Sequence, residues 1–185
     1  LASQIAISLQ NANQFQRTQT VLSRTESLYA ITRAATQSLD LDEVLREMLS
    51  QTLQATRLEA GLVSIVDPQT GKLYLAVHQN LPDPLTRKLQ AQGLAGTLCE
   101  MVYTNQDAIS LHDLTSDAPV DVSGLIRMGL YSYQGVPIEA KGKVLGTLCA
   151  FGFTPRIDLD ETVELMQVAG RQIGIAVENA ELFQQ

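Results

Sequence analysis

Two adjacent strands are predicted by the stretch Tyr131–Phe153, which reads YSYQGVPIEAKGKVLGTLCAFGF. Its β-branched, aromatic and small apolar residues form two runs, Tyr131–Ala140 and Lys143–Phe153, which have the composition of strands. Only Lys141-Gly142 separates the runs, and a two-residue connection that contains glycine favours a tight hairpin turn. Pro155 follows the second run and ends it. The stretch therefore predicts an antiparallel hairpin.

A second hairpin is predicted upstream, and helical patterns flank the two hairpins. Ala60–Val66 and Lys72–His78 are strand-like runs on either side of a turn that contains proline and glycine. From Leu41 to Leu53, apolar residues recur at the spacing of one helix face, which we expect to pack on a sheet. A last helix is predicted to begin near Asp158 with a side-chain cap. These patterns predict an α+β fold with an antiparallel sheet, a helix layer on one sheet face and long helices at both termini.

The middle of the chain is predicted to be rich in loops. Thr97–Tyr103 has a helical pattern, Asp107–Leu111 has a short strand pattern, and Gly124–Met128 is predicted to form one helical turn at most. Asp113–Ser123 has the aspartate, serine and proline content of a loop. Carboxylates spaced four apart in this loop are unlike those of a calcium-binding loop and are expected to cap turns. They are Asp113, Asp117 and Asp121.

The two ends of the chain resemble each other. Gln4–Gln16 and Gln172–Gln184 are identical at seven of thirteen positions, at a constant offset of 168. This offset is the length of a whole domain. We therefore interpret residues 1–38 as the helix that ends a preceding domain, and residues 39–185 as one domain with its own C-terminal helix. Long, polar helices of this kind are expected to pair in a homodimer. The residues predicted to line that contact are Ile5, Leu9, Ala12, Ile173, Val177 and Ala180.

Composition excludes several classes of partner. The chain has 45% hydrophobic and 18% charged residues, as in an ordinary globular protein, and a net charge of −7 without a clustered basic stripe. Binding to a phosphate backbone needs concentrated positive charge, so nucleic acid is not an expected partner. No apolar run is long enough to cross a bilayer, so no membrane partner is expected either.

The cysteines and histidines form no motif for a metal or a cofactor. Cys99 and Cys149 lie in apolar surroundings, without a CxxC motif or a Cys/His cluster at metal-ligand spacing. We expect core thiols in a reducing cytoplasm and no metal, and a disulfide between the two cysteines stays open as an alternative. His78 and His112 are the candidates for a haem ligand, but neither has a second polar determinant beside it.

Several segments, taken in order, carry a family resemblance. They are Leu39–Leu45 (LDLDEVL), Gly93–Gly96 (GLAG), Ala108–Asp113 (AISLHD), Met128–Ile138 (MGLYSYQGVPI) and Gly142–Leu148 (GKVLGTL). Together, over about residues 39 to 183, they resemble a GAF domain, the small-molecule sensor module of phosphodiesterases, phytochromes and many bacterial signalling proteins. The resemblance implies a module of a multidomain protein such as a two-component sensor kinase or response regulator, in which such domains occur in tandem.

The chemistry of two GAF classes is missing at the matching positions. Bilin-binding members carry a Cys-His pair shortly before the methionine of the Met-Gly motif, where this chain has Val120 and Asp121. Covalent bilin attachment is therefore not expected, and no other cofactor is expected. Free methionine sulfoxide reductases of this family need one cysteine directly after the glycine-rich turn, where Ala95 stands, and another before Val136-Pro137. Neither cysteine is present at those positions.

A ligand pocket is expected between the sheet and the segment from Thr97 to Tyr133, which would cover it. The residues predicted to line this pocket are Leu75, Leu98, Met101, Leu125, Met128, Tyr133 and His112. The same apolar residues would equally suit a closed core. An open cavity and a filled core therefore lead to different functions.

Three functions are compatible with these observations. The first is a non-catalytic sensor or relay that passes the state of a ligand or partner to neighbouring domains through its terminal helices. The second is a ligand-free dimerisation scaffold. The third is a thiol-based redox enzyme of the free methionine sulfoxide reductase type. An open cavity favours the first function, and a filled core favours the second.

Overall fold

A five-stranded antiparallel sheet lies at the centre of the fold. The structure, a computed structural model, describes residues 41–183. Its strands are β1 (Ala60–Val66), β2 (Leu73–Gln79), β3 (Ile109–Leu111), β4 (Ser132–Ala140) and β5 (Lys143–Gly152). They lie in the order β2-β1-β5-β4-β3, and every neighbouring pair is antiparallel.

Helices cover both faces of the sheet. They are α1 (Leu41–Thr56), α2 (Asp83–Gln92), α3 (Leu98–Asn105), α4 (Ser123–Arg127) and α5 (Leu159–Phe183). The long α1 and α5 share one apolar core with the sheet, and we call this side the helix face. The short α2, α3 and α4 with their loops form a cap, which shares a second core with the opposite side, the cap face. The predicted α+β fold with its helix layer is confirmed.

Predictions for the amino-terminal segment lie outside the described residues. They are the helix that ends a preceding domain, the domain boundary at residue 39, and the dimer contacts Ile5, Leu9 and Ala12. Within residues 41–183, no helix is long and apolar enough to cross a membrane.

The hairpin predicted for Tyr131–Phe153 is confirmed and forms the pair β4–β5. Ala140 pairs with Lys143, so Lys141 and Gly142 alone make the turn. Both residues have positive φ, 47° and 74°, as a type I′ turn requires at its two central positions. Glycine adopts this conformation without a steric cost. The sequence thus determines the turn and the pairing next to it, and an irregularity between Ile138 and Glu139 then shifts the register of the remaining pairs.

The amphipathic pattern from Leu41 to Leu53 forms α1, as predicted. One side of α1 is buried in the helix-face core, and its apolar members are Val44, Leu45, Met48, Leu49 and Leu53. The opposite side, which includes Arg46 and Glu47, is exposed. Burial of a large aliphatic side chain contributes about 1.5–3 kcal/mol, so this side is sufficient to hold the helix on the sheet.

Two glycines allow α5 to lie directly against the main chain of β4. A Cβ at Gly170 would lie 2.6 Å from the carbonyl oxygen of Pro137. A Cβ at Gly174 would clash with the carbonyl group of Glu139. Since real Cβ atoms do not approach a main-chain oxygen this closely, the spacing between α5 and the sheet depends on both glycines.

The prediction that Ile173 and Val177 line a dimer contact requires correction. Their exposure is 0% and 1%, and both belong to the helix-face core of their own domain. The glycine contacts bring this side of α5 onto the sheet, where a second chain has no access. Ala180 is half-buried. The outward side of α5 instead presents Ile175, which is 47% exposed.

Arg156 connects the end of α1 to the start of α5. Its guanidinium donates to the carbonyl oxygen of Arg57 (2.6 Å) and to both carboxylate oxygens of Asp158 (2.8 Å each). The sequence predicts that the Asp158 side chain caps α5. Instead, the Glu161 N–H donates to the main-chain carbonyl of Asp158 (3.1 Å), and the carboxylate is bound by Arg156.

Replacing Arg156 with glutamine is expected to lower the free energy of unfolding by about 2 kcal/mol, because hydrogen bonds to charged groups contribute about 1.5–3 kcal/mol. The Arg156 guanidinium also holds the pKa of Asp158 below its usual value of 3.8. A carboxyl group with a lowered folded-state pKa stabilises the fold above its unfolded pKa, and this contribution is lost as pH falls through the folded value. Below about pH 4, the native protein should therefore lose stability more steeply than the variant.

Urea unfolding at several pH values between about 3 and 7 measures both effects. Arg171→Gln, an exposed position on α5, is the matched control and should leave stability within about 0.5 kcal/mol. Parallel pH profiles for the native protein and Arg156→Gln would contradict the assignment of Arg156 as the cause.

Candidate ligand cavity in the cap face

A cavity of about 230 Å³ opens between the sheet and the cap. Leu62 of β1 and Phe151 of β5 border it on the sheet side. Apolar residues of the cap that line it are Leu85, Leu89, Leu98, Val122, Leu125 and Met128. Small-molecule pockets are concave and mostly apolar with a few polar groups, and they commonly measure about 300–1,000 Å³. This cavity is somewhat smaller than that range but has the same mostly apolar lining, so it suits a small metabolite.

Hydrogen bonds of the capping-box type hold the turn between α2 and α3 beside the cavity. Thr97 Oγ1 accepts from the Glu100 N–H (3.4 Å), and Glu100 Oε2 accepts from the Gly96 N–H (2.6 Å). These bonds occupy main-chain donors that would otherwise have no partner at the start of a helix. Leu98 and Cys99 follow directly and therefore have fixed positions in the cavity wall.

Three charged residues stand at the cavity. Lys88 of α2 and Arg127 of α4 are exposed, and both lie near Asp121 of the loop before α4. The pKa of Asp121 is below its usual value, chiefly because its carboxylate accepts from the Ser123 N–H (2.9 Å), and also because Arg127 and Lys88 are close. Two positive charges and one negative charge leave an excess of one positive charge. This excess favours a ligand with an anionic group on an apolar body.

Three of the predicted pocket residues line the cavity, and four lie elsewhere. Leu98, Leu125 and Met128 are in its wall. Leu75 and Met101 are half-buried and pack against the cap-face core outside the lining. The remaining two, Tyr133 and His112, have other surroundings. The sequence therefore located the cap side of the cavity better than its sheet side.

Tyr133 is a core residue of the cap face. Its ring is tilted against the Phe151 ring with centroids 5.3 Å apart, and its Oη is 3.1 Å from Cys149 Sγ. The ring lies over Gly135, where a Cβ would be 2.8 Å from Tyr133 Cζ. Because Gly135 has no side chain, the tyrosine fills that space and is fully buried.

His112 lies outside the cavity, directly after β3. Its Nε2 is 3.5 Å from a carboxylate oxygen of Asp160 on α5. Its main-chain carbonyl accepts from the Arg156 N–H (2.9 Å). The imidazole therefore belongs to the junction between β3 and α5 and does not face a ligand in the cavity.

The positions of the bilin-type Cys-His pair do line the cavity. Val120 and Asp121 occupy them, and neither side chain supplies a thiol or an imidazole. Cys99 lines the cavity from α3 and is 3% exposed. The geometry thus shows where such a pair would face a ligand, and this chain has other chemistry at those positions.

The acidic loop before α4 uses its carboxylates to cap turns, as predicted. Asp113 accepts from the hydroxyl (2.7 Å) and the N–H (2.8 Å) of Thr115, and these bonds hold its pKa below the usual value. Asp117 accepts from the Ser116 hydroxyl (2.8 Å). In the part of the chain that the structure describes, no group of three or more His, Cys, Asp or Glu residues could hold a metal ion.

Sequence reasoning missed the two basic residues of the cavity. Lys88 and Arg127 are far apart in the chain, and neither belongs to a motif. Both line the cavity because α2 and α4 cover the same side of the sheet. The one available signal was the pair Leu85 and Leu89, whose spacing marks the buried side of a helix at this point.

Comparison with known proteins relates most of the chain to one family. The family model described as GAF domain matches residues 38–178, a range that contains the whole sheet and the cavity. A Nif-specific regulatory protein from Herbaspirillum seropedicae is 26% identical over 160 residues. The alignment covers 82% of this chain and 29% of that protein, so the chain spans less than a third of the relative's length.

Solved structures share the fold at low sequence identity. The GAF domain of a phosphoenolpyruvate-protein phosphotransferase from Coxiella burnetii has a TM-score of 0.74 and 17% identity, covering 88% of this chain and 97% of that one. The free methionine-R-sulfoxide reductase from Neisseria meningitidis, in complex with its substrate, has a TM-score of 0.69 and 14% identity, covering 86% and 91%. At these identities the likeness is one of fold.

Proposed function

We propose that this chain, which belongs to the GAF domain family, is a non-catalytic sensor and relay module. A small ligand would occupy the cavity, and the terminal helices would carry its effect to neighbouring domains. We place the module in a cytoplasmic signalling protein of the two-component type that forms a homodimer through its terminal helices. The similarity to a regulatory protein supports a role in signalling.

The observation that carries this proposal is the open cavity between sheet and cap. A scaffold without a ligand has no use for an unfilled space, because empty volume in a core lowers stability. Here a mostly apolar wall, which includes Leu62 and Phe151, surrounds a cavity of about 230 Å³. Lys88, Asp121 and Arg127 also line this cavity. These groups favour a small organic anion with an apolar body as the ligand.

Strand β4 offers a route from the cavity to α5, because it touches the cap on one face and α5 on the other. On the cap face, the side chain of Val102 of α3 packs against Gly135. A Cβ at Gly135 would lie 2.8 Å from Val102 Cγ2. On the helix face, the amide of the adjacent Gln134 donates to the Leu159 carbonyl (2.7 Å) and accepts from the Thr162 hydroxyl (2.8 Å). A shift of α3 would therefore reach α5 through adjacent residues.

Filling the cavity is expected to abolish ligand binding. Phenylacetate and its neutral isostere phenylacetamide are suitable probes, and Met128→Trp places a large ring in the cavity wall. We expect phenylacetate to bind at least about fivefold more tightly than the amide, as one charge-assisted hydrogen bond would give. Neither probe should bind Met128→Trp. Amide chemical shifts of the cap, followed by NMR during titration, measure both affinities.

Tyr103→Trp is the matched control, since Tyr103 is a half-buried residue of the cap outside the cavity lining. It should bind both probes as the native protein does. Unchanged binding to Met128→Trp would show that the cavity is not the site. Equal affinities for the two probes would contradict the preference for an anion, but the cavity would remain the binding site. Absence of binding by both probes at about 10 mM, far above a millimolar dissociation constant, would count against the sensor function.

The two other functions have weaker support. Catalytic thiols are partly exposed, whereas Cys99 is 3% exposed and Cys149 is 0% exposed. The likeness to a sulfoxide reductase is one of fold. A ligand-free scaffold would be expected to have a filled core, whereas a cavity of about 230 Å³ lies between the sheet and the cap.

A further inference from the structure

The cavity between sheet and cap has an apolar interior and a charged rim. Its charged lining residues, Lys88, Asp121 and Arg127, are all exposed. Its large apolar lining residues are mostly buried, and the buried ones are Leu62, Leu85, Leu89, Leu98, Val122 and Phe151. A ligand that fills the cavity therefore buries an apolar part and leaves its polar part beside the three charges.

The rim carries charges of both signs on two segments of the cap. Lys88 belongs to α2, whereas Asp121 and Arg127 belong to the loop before α4 and to α4 itself. A Cβ at Gly124 would lie 4.0 Å from Arg127 Nη2. The guanidinium therefore folds back over the first turn of α4, which begins two residues after Asp121. One ligand at this rim can meet both a negative group and positive groups.

The carboxylate of Asp121 is held by the main chain at the start of α4. It accepts from the Ser123 N–H (2.9 Å). An ionised carboxylate can accept further hydrogen bonds, because its two oxygens have about four lone-pair sites. None of the ion pairs within residues 41–183 involves Asp121, Lys88 or Arg127. The three charges are therefore available to a ligand.

We propose that the ligand is an α-amino acid with an apolar side chain, which binds Asp121 through its ammonium group and Arg127 and Lys88 through its carboxylate. This inference rests on the proposed sensor function and names the ligand class of the same cavity. An α-amino acid keeps the carboxylate and the apolar body that the cavity favours, and it adds an ammonium group on the carbon next to the carboxylate. Its side chain fills the apolar interior.

Asp121 distinguishes this class from a simple carboxylic acid. A carboxylate without an ammonium group brings a second negative charge to the rim beside Asp121, and like charges in proximity weaken binding. An ammonium group makes the same residue a partner in a charge-assisted hydrogen bond. Because the rim is exposed, solvent screens both effects, and each should change the affinity by about threefold.

L-Phenylalanine and 3-phenylpropionate test this inference, because they share one skeleton and differ only in the ammonium group. Amide chemical shifts of the cap in the full chain, followed by NMR during titration, give both dissociation constants. We expect phenylalanine to bind the native protein at least about threefold more tightly. Asp121→Asn should reverse this order, since it weakens phenylalanine and tightens 3-phenylpropionate. Asparagine removes the charge but keeps an oxygen that can accept from the Ser123 N–H.

Asp117→Asn serves as the control for a lost carboxylate in the same loop. Asp117 is exposed and lies outside the cavity lining, so both affinities should stay as in the native protein. A parallel change of both affinities in Asp121→Asn would overturn the role given to Asp121. If that variant does not fold, the comparison of the two probes on the native chain still decides the ligand class.

The remaining outcomes separate this inference from the sensor function. If 3-phenylpropionate binds the native protein at least as tightly as phenylalanine, the amino acid is overturned and a simple anion remains the ligand of the cavity. Phenylalanine binding that persists in Met128→Trp would place the amino acid outside the cavity and overturn the proposal. Absence of binding by phenylalanine, 3-phenylpropionate and phenylacetate at about 10 mM would contradict the ligand class and the sensor function together.

Discussion

Replacing Gly174 with leucine is expected to lower the free energy of unfolding by about 3 kcal/mol or more, at the upper end of the range for overpacked cores. A side chain at this position would meet the carbonyl group of Glu139, with its Cβ 2.6 Å from the carbonyl carbon. The obstacle is the main chain of β4, which is paired with β5 at this point, so it cannot move aside as a flexible side chain can. The α5 helix must then tilt or shift outward, which opens the helix-face core around Ile173 and Val177.

Thermal and urea unfolding, followed by circular dichroism, measure this loss. Ile175→Ala is the matched control because Ile175 is the next residue and is 47% exposed. Its effect should stay within about 0.5 kcal/mol. A stability for Gly174→Leu within that same range would mean that α5 does not lie on β4 at the distance described.

Replacing Gly135 with valine is expected to cost about 3 kcal/mol on the opposite face of the same strand. A Cβ there would lie 2.8 Å from both Tyr133 Cζ and Val102 Cγ2. Tyr133 is fully buried, so its ring has no free space to occupy, and α3 has to move away from the sheet. This displacement moves Cys99 of α3 out of the cap-face core.

Two measurements follow from that displacement. Besides lower stability, the folded variant should react faster with Ellman's reagent, because Cys99 loses the contacts that bury it. Ala140→Val, at the half-buried end of the same strand, is the control and should change neither quantity appreciably. A destabilised variant whose thiols stay as unreactive as in the native protein would contradict the contact between Gly135 and α3.

The elements whose determinants are local were predictable. The β4–β5 hairpin follows from a turn in which Lys141 and Gly142 adopt positive φ, and β-branched residues extend on either side of it. The α1 helix follows from the repeat of apolar residues between Leu41 and Leu53. In both cases, neighbours in the sequence decide the conformation, so no distant contact is needed to predict it.

The candidate site was predictable only in part. Leu98, Leu125 and Met128 line the cavity because they are apolar residues of the segment that covers the sheet. His112 is polar and precedes the same loop, yet it lies beside Asp160 at the start of α5. The direction in which the chain leaves β3 decides this difference, and no residue near His112 encodes it.

For the terminal helix α5, the sequence likewise did not predict which surface it packs against. Its apolar repeat indicates a buried side, but a repeat does not state what buries it. Gly170 and Gly174 leave room for a main chain, and only the folded sheet shows that this main chain is β4 of the same domain. The predicted dimer contact through Ile173 and Val177 therefore became an intradomain contact.

By itself, the sequence determined the strands, the amphipathic helices, the tight turn and the family resemblance, because each depends on residues close together in the chain. Tertiary structure alone decided which side of α5 is free, that Lys88 and Arg127 stand at one cavity, and that Cys99 and Cys149 belong to one core. Each of these features brings together residues of different helices and strands. They depend on how the helices pack on the two faces of the sheet. The physical reason is that side-chain patterns specify which surface must be buried, whereas the partner that buries it is selected by packing of the whole domain.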